Sequence, residues 1–305
     1  MQRLATFLEQ KYPGTEQRET FRTEVMRVCS AFVSSGMADA KFESEITSGA
    51  DGKFWSCLSE ALIFEQIKDK SFPSRPSIGV GPDFLITDGN RRIWIEVICP
   101  EPSGIPKDWI EIQFGKGGSV PHNEILLRWT SAFKEKAQKL AGKLNGQSSG
   151  YLAKGVVSAD DSYVIAINGC QLRHGPFSAL TGISQFPYAA ETVFPIGPYQ
   201  IRINRETLKS VGSGHQERFF IPKPNGATVP THAFLDPAYK MISAIWAVDF
   251  NGCGAIGNHQ PSAIIHNPCA VNPIPVGFLP ANEEFHALPS GEDGWTFGHV
   301  GSIEA

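Results

Sequence analysis

The feature that most constrains the fold is a predicted β-hairpin over residues 81–99. Its two arms, residues 82–87 and 92–98, are rich in the β-branched and aromatic side chains that are typical of strands. Between them, residues 88–90 are an aspartate, a glycine and an asparagine, which form a strong turn signal. The sequence therefore predicts two antiparallel strands joined by a tight turn.

The hairpin carries one carboxylate in each arm, Asp83 and Glu96. Because successive side chains of a strand point to opposite faces, the position of the turn decides which residues oppose each other. If residues 89–90 form the turn, the two carboxylates lie directly opposite each other. If residues 88–89 form it, the pair is diagonal, and both carboxylates still share one face.

Two carboxylates in this arrangement predict a binding site for a divalent cation. Opposed like charges on neighbouring strands repel each other, with Cβ atoms about 5 Å apart. Glu96 also lies within the apolar run 93–98, where an ionised carboxylate is costly to bury without a partner. A cation between Asp83 and Glu96 would remove both penalties.

The composition excludes several classes of protein. The 305 residues suffice for a full hydrophobic core, and 19% charged and 41% hydrophobic residues are typical of a globular chain. A net charge of −4 and a pI near 6.1 exclude a generally basic nucleic-acid coat, but not a local basic groove. No apolar run approaches the roughly 20 residues of a membrane span, and the N-terminal segment lacks the apolar core of a signal peptide. Six cysteines occur singly without a CxxC motif, which predicts reduced thiols and a cytoplasmic location.

Hydrophobic periodicity outlines the remaining elements. It predicts helices over 1–35, 53–68 and 124–144, and strands over 162–168, 199–204, 218–221, 241–250 and 263–266. This order argues for one α/β domain over residues 1–305, with a central mixed β-sheet flanked by helices and with large loop insertions. The core is expected over 53–168, completed by strands near 241–267, with 169–235 as an insertion and 268–305 as an irregular tail.

Two of the predicted helices carry residues of functional interest. Glu60 shares a helix face with core-forming residues, and its place directly before the hairpin favours a functional role over a boundary ion pair. In the helix over 124–144, Arg128 and Lys136 lie along one stripe beside apolar residues, and Gln138 follows closely. Its other lysines are expected on the solvated face: Lys134, Lys139 and Lys143.

A helical glutamate, then Pro-Asp on one strand, then a carboxylate in an apolar second strand, then a basic helix, resembles the PD-(D/E)XK nuclease superfamily. The matching positions are Glu60, Pro82-Asp83 and Glu96, within about a third of the chain. The chain departs from the family pattern at Ile98, where the motif lysine is expected. Since some family members carry this lysine on the following helix, the resemblance suggests Lys136 in its place.

The resemblance implies a restriction-endonuclease-like core and a metal-dependent endonuclease that hydrolyses phosphodiester bonds, with DNA as the expected substrate. Asp83, Glu96 and the carbonyl of Val97 would bind Mg²⁺ or Mn²⁺, and Glu60 would assist through water or a second ion. Lys136 would orient the nucleophile or stabilise developing charge.

The same resemblance implies contacts with nucleic acid outside the metal site. The candidates for binding the substrate are Arg91, Arg92, Arg128 and Gln138, together with the Gly-rich loop over 101–123. Residues 169–305 are expected to serve substrate selection or the formation of a homodimer. No membrane partner is expected.

Two other interpretations compete. A zinc site could use Cys253, His259, His266 and Cys269, but their spacings match no standard finger or knuckle. The second alternative is a catalytically inactive nuclease-like fold that binds nucleic acid or another protein. Ile98 and the acidic pI favour that alternative, whereas the retained pair Asp83 and Glu96 argues for catalysis.

Overall fold

The computed structural model describes residues 1–70, 81–111, 115, 119–142, 149–175, 177–178, 180–290 and 294–302. The helices within these residues are α1 (Gln2–Lys11), α2 (Glu16–Ser34), α3 (Phe42–Ile46), α4 (Asp51–Ile67), α5 (Lys107–Ile110), α6 (His122–Ala141) and α7 (Tyr188–Val193). The strands are β1 (Phe84–Asp88), β2 (Arg91–Ile98), β3 (Ser162–Asn168), β4 (Ile196–Ile203), β5 (Ser210–Glu217), β6 (Phe220–Pro222), β7 (Thr228–Pro230), β8 (Ala244–Val248), β9 (Ser262–His266), β10 (Glu283–Ser290) and β11 (Gly294–His299).

A mixed seven-stranded sheet forms the centre of the molecule, with strand order β1-β2-β3-β8-β9-β10-β11. Strands β2, β3 and β8 run parallel to one another, and β9 runs parallel to β10, whereas the other neighbours are antiparallel. The crossover from β2 to β3 contains α6, as parallel strands require a long connection. The predicted α/β class with a mixed sheet flanked by helices is confirmed.

The two faces of the sheet bury two separate hydrophobic clusters, and β2 contributes to both. Ile93, Ile95 and Val97 pack in a cluster with residues of α1 to α4. Trp94, between them in sequence, points to the other face and packs with residues of α6 and α7. This alternation places the side chain of Glu96 on the α6 side of the sheet.

The register of the first hairpin follows the first of the two predicted turns, the one over residues 89–90. Phe84 opposes Ile95 and Asp88 opposes Arg91, so residues 89–90 form the turn. Gly89 adopts a φ of 57°, a left-handed conformation that glycine takes at little cost. Continued by one residue, this register places Asp83 opposite Glu96, as predicted.

The C-terminal part of the chain corrects one expectation. Residues 268–305 were expected to form an irregular tail, but β10 and β11 lie within them and complete one edge of the main sheet. The predicted insertion over 169–235 contains α7 and two small antiparallel sheets, β4-β5 and β6-β7. The predicted helix over 1–35 is divided into α1 and α2 around Pro13 and Gly14, where Gly14 has a φ of 96°.

A buried charged cluster attaches the insertion to α6. His122 is the first residue of α6. Its Nδ1 forms a hydrogen bond with the Tyr188 hydroxyl at 3.2 Å, and its Nε2 lies 2.9 Å from Glu191 Oε2. Glu191 also accepts hydrogen bonds from Arg218 and, at 2.6 Å, from the Ser184 hydroxyl. Because Glu191 is fully buried, these partners compensate the cost of burying its charge.

Among the described residues, no helix combines the length and apolar character needed to cross a membrane.

Candidate active site

The centre of the candidate site is the carboxylate of Glu96, which is only 1% exposed. Its Oε1 accepts hydrogen bonds from Lys136 Nζ at 2.8 Å and from Lys139 Nζ at 2.9 Å. Its Oε2 lies 3.4 Å from the hydroxyl of Tyr151, a long contact. Hydrogen bonds of this kind between charged groups are stronger than neutral ones, and here they compensate part of the cost of burying the carboxylate.

Helix α6 brings both lysines to Glu96 because they are three residues apart and share a helix face. The side chain of Lys136 is 8% exposed, whereas that of Lys139 is 44% exposed. The predicted proximity of Lys136 to the second carboxylate is therefore confirmed. Lys139 was expected on the solvated face only; half of its side chain is exposed, but its ammonium also binds Glu96.

The pKa of Lys139 reflects this position. Burial acts to lower the pKa of the Lys139 ammonium, but the negative charge of Glu96 and the nearby hydrogen bonds outweigh burial and raise it. Lys139 therefore stays protonated, and the two lysines together surround Glu96 with positive charge.

Asp83 lies directly before β1 and closes the end of the hairpin. Its Oδ2 accepts a hydrogen bond from the backbone N–H of Val97 at 2.7 Å. This bond fixes the Asp83 carboxyl beside the strand that carries Glu96. The two carboxylates are thus brought together by the register of the hairpin, and Lys136 is brought to them by packing of α6 on the sheet.

Tyr151 is a member of the site that sequence reasoning missed. After residues 143–148, which lie outside the described residues, the chain returns to the end of α6, where Tyr151 N–H donates to the Lys139 carbonyl at 2.9 Å. The return requires a glycine at position 150, since a Cβ there would lie 2.2 Å from the Leu140 carbonyl oxygen. The hydroxyl of Tyr151 then donates to the Gly81 carbonyl at 3.2 Å and points towards Glu96.

Tyr163 adds a buried polar group next to this cluster. It opposes Trp94 in the parallel register of β2 and β3, and its side chain is fully buried. Burial, and then the charges of Glu96, Tyr151 and Asp83, raise its pKa well above the ordinary value. Within the described part of the chain its hydroxyl has no hydrogen-bond partner, which is the kind of exception expected where a water or ligand completes a site.

Glu60 is placed apart from the two carboxylates. It lies half-buried on α4, whose apolar residues pack on the opposite face of the sheet from α6. Among the residues that the structure describes, no group of three or more His, Cys, Asp or Glu side chains is placed to hold a metal ion. The same holds for the alternative zinc ligands at 253–269, where His266 instead contacts Glu284 at 2.7 Å. Of the four metal ligands predicted from the sequence, the structure therefore brings together Asp83, Glu96 and Val97, but not Glu60.

Arg91 and Arg92 lie at the other end of β2. At about 3.3 Å per residue, Arg92 is roughly 13 Å from Glu96 along the strand, and Arg91 one residue further. The guanidinium of Arg92 lies 5.5 Å from the ring centre of Trp94 and 3.7 Å from Asp161. Arg92 therefore has structural partners, and the structure does not bring either arginine to the carboxylates.

Arg128 and Gln138 line a separate groove on the outer side of α6, with a volume of about 610 Å³. Two further cations, Lys134 and Lys223, line the same groove, together with Glu124 and Glu135. Burial, and then the charge of Lys223, lowers the pKa of the Lys134 ammonium. The Arg128 Nε is buried without a hydrogen-bond partner among the described residues. This groove can therefore accept an anion, but Lys136 is not among its lining residues.

Comparison with known proteins adds no identification. No protein-family model, no curated protein and no solved structure matches the chain.

Proposed function

We propose that this protein is a divalent-metal-dependent nuclease that hydrolyses phosphodiester bonds, with DNA as its substrate. The observation that carries the proposal is the 2.8 Å contact between Lys136 Nζ and Glu96 Oε1. Two elements distant in sequence place a buried lysine on the second of two opposed carboxylates. That arrangement supplies the ammonium group that is missing at Ile98 of the hairpin strand.

The donor set fits a hard divalent cation. Asp83 and Glu96 offer carboxylate oxygens and Val97 offers a backbone carbonyl, which are ligands that Mg²⁺ and Mn²⁺ prefer while keeping several waters. Such an ion would activate a water molecule for attack and neutralise charge on the phosphate. The buried hydroxyl of Tyr163 has no hydrogen-bond partner among the described residues, which supports a site where a water or ligand provides that contact.

The chain's own cations have distinct tasks in this proposal. Lys136 is buried and fixed, so its ammonium is suited to stabilise negative charge that develops on the phosphate oxygens during attack. Lys139 is half-exposed and stays protonated, so it is suited to attract and position the phosphate as it enters. Asp83 is oriented by the Val97 N–H and cannot turn away from Glu96 without losing that hydrogen bond.

The groove on the outer side of α6 supports a nucleic-acid substrate longer than one nucleotide. Arg128, Lys134 and Lys223 give it three cations against two carboxylates. A net positive groove in a chain of net charge −4 is a local feature of the kind that binds a phosphate backbone. DNA engaged both there and at Glu96 would wrap around α6.

The test is cleavage of supercoiled plasmid, single-stranded DNA and RNA by the purified protein with Mg²⁺, Mn²⁺ or EDTA. We expect metal-dependent nicking of plasmid that is lost in Glu96→Gln. The matched control is Glu283→Gln, which alters an exposed glutamate at the start of β10 and should leave the rate unchanged. Cleavage that Glu96→Gln retains would contradict the assignment of the site.

The second candidate function is a nuclease-like fold that binds nucleic acid without cutting it. One observation favours it: Lys136 and Lys139 already neutralise Glu96, and no third acidic side chain among the described residues joins the pair. Plasmid binding without cleavage under every metal, weakened by Arg128→Ala, would favour this candidate over the nuclease.

A further inference from the structure

A second cluster of reactive groups lies at the carboxyl ends of the parallel strands, away from the lysine-bound face of Glu96. Cys99 directly follows β2, and Cys170 lies in the 3₁₀ turn Gly169–Leu172 that follows β3. The two strands are neighbours, with Ile98 opposite Ile167. Their ends therefore bring two cysteines that are 71 positions apart in sequence to the same edge of the sheet.

The two thiols are in direct contact. Cys99 Sγ and Cys170 Sγ are 3.7 Å apart, and both side chains are buried, at 8% and 5% exposure. A disulfide has an S–S length of about 2.05 Å, so the two sulfurs would have to approach each other by less than about 2 Å. The described cysteines are all free thiols, so the cluster is present here in its reduced form.

The backbone of Cys170 is held in place by a buried asparagine. Asn168 Oδ1 accepts hydrogen bonds from the N–H of Cys170 at 3.3 Å and from the N–H of Phe250 at 3.0 Å. Asn168 Nδ2 donates to the Ser59 hydroxyl at 2.8 Å and to the Phe250 carbonyl at 2.7 Å. These bonds join the end of β3 to the turn that carries Cys170, to the segment that follows β8 and to α4, so they hold the Cys170 turn in its place beside Cys99.

The thiol pair is also within reach of small solutes. Cys170 and Gln171 line a cavity of about 660 Å³ that lies outside the ends of β2, β3 and β8. The Gln171 side chain donates from Nε2 to Cys99 Sγ at 3.4 Å, so one side chain separates Cys99 from that cavity. A hydroperoxide is small enough to enter this cavity, where Cys170 is among the lining residues.

We propose that Cys99 and Cys170 form a redox-active dithiol, which a hydroperoxide oxidises to an intramolecular disulfide. In the first step one thiol sulfur attacks the peroxide oxygen, the O–O bond breaks, and a sulfenic acid and one molecule of water or alcohol are formed. In the second step the other thiol attacks the sulfenic sulfur, the S–O bond breaks and water leaves. Both sulfurs are oxidised by one electron each, and the peroxide is reduced by two electrons.

The test is oxidation of the full-length protein with hydrogen peroxide, followed by counting of free thiols after denaturation. Of the six cysteines, two are expected to be lost, and both are expected to return on treatment with dithiothreitol. Tryptic cleavage places Cys99 in peptide 93–107 and Cys170 in peptide 155–173, each with a single cysteine. A disulfide-linked pair of these two peptides, about 2 Da lighter than their sum, is the expected product.

Matched variants make the assignment specific. Cys99→Ser and Cys170→Ser should each abolish the linked peptide, whereas Cys29→Ser should leave it unchanged. Cys29 is an apt control because it is fully buried in another part of the core, where burial and then Cys57 raise the pKa of its thiol to about 12. If a variant fails to fold, the peptide map of the wild-type protein still decides.

Thiol loss confined to other cysteines, or over-oxidation of Cys99 without a link to Cys170, would overturn the proposal. The measurement requires no nuclease activity, so its outcome is independent of the function proposed for Glu96.

Discussion

The ion pair between Glu96 and Lys136 predicts a measurable coupling energy. Its two partners are 1–2% and 7–8% exposed, so neither charge is well solvated when the other is removed. Lys136→Met removes one of two charged hydrogen bonds to Glu96, and the remaining bond comes from the half-exposed Lys139. A charged hydrogen bond contributes about 1.5–3 kcal/mol, so we expect the free energy of unfolding to fall by about 2 kcal/mol.

Glu96→Gln should cost more, because it leaves the buried Lys136 ammonium without a carboxylate. Removing one partner of a buried ion pair costs about 3–5 kcal/mol, and we expect the lower end because Lys136 retains an amide oxygen as a partner. The double variant removes both charges and should cost about 3 kcal/mol instead of the additive value of about 5 kcal/mol. The expected coupling energy is therefore about 2 kcal/mol.

Urea unfolding followed by tryptophan fluorescence measures these energies for the wild type, both single variants and the double variant. A matched control is the surface pair Glu45 and Lys53, whose side chains are 41% and 56% exposed and whose charged atoms are 3.7 Å apart. That pair should couple by less than about 0.5 kcal/mol. Additive costs within about 0.5 kcal/mol at Glu96 and Lys136 would refute the reasoning.

Three further predictions test other parts of the structure. Gly150→Ala should lower the melting temperature, because its Cβ would lie 2.2 Å from the Leu140 carbonyl oxygen. Stability should fall at acidic pH through Glu191: burial raises the pKa of this carboxyl, but the hydrogen bond and charge of His122 outweigh it and lower the pKa. The resulting stabilisation is present above the unfolded pKa of about 4.3 and is lost as pH falls through the lower folded value, so Glu191→Gln should flatten the acid limb of a stability–pH profile. Mg²⁺ should raise the melting temperature of the wild type but not that of Glu96→Gln, because a ligand that binds only the folded state stabilises it.

Each of these predictions has a contradicting result. An unchanged melting temperature in Gly150→Ala would show that the end of α6 and the segment after it can separate without cost. An acid limb that keeps its slope in Glu191→Gln would assign the acid sensitivity to other carboxyls. An equal Mg²⁺ shift in wild type and Glu96→Gln would place cation binding elsewhere.

The hairpin and its carboxylates were predictable because their signals are local. Residues 88–90 define the turn, and the alternation of side chains along a strand then decides the pairing of Asp83 with Glu96. Lys136 was predictable from the helical stripe that it shares with apolar residues. In each case the side chains repeat every two residues along a strand or every 3.6 residues along a helix, so the sequence spacing alone shows which residues share a face.

Other parts of the site depend on tertiary contacts that no local pattern encodes. Tyr151 reaches Glu96 because residues 149–152 return to the end of α6. The hydrogen bond from the Tyr151 N–H to the Lys139 carbonyl holds this segment there. Lys139 lies on the same helix face as Lys136, but its side chain is more exposed. Its contact with Glu96 therefore depends on the conformation of a long, flexible side chain.

The strands β10 and β11 were missed because Pro289 and several glycines weaken their strand signal. The two apolar residues Phe285 and Ala287, separated by His286, are the sequence signal that could have indicated β10, and both are buried in the structure.

The most direct test of the central claim compares two lysines of the same helix in the plasmid-cleavage assay with Mg²⁺. The account predicts that Lys136→Met lowers the cleavage rate by about 100-fold or more, because it removes a fixed donor to developing charge. Lys139→Met should lower the rate by less than about 10-fold and should mainly weaken substrate binding, since its ammonium is half-exposed. Lys240→Met, which alters an exposed lysine outside α6, serves as the control. Cleavage that survives Lys136→Met at the wild-type rate would contradict the claim that α6 supplies the catalytic lysine.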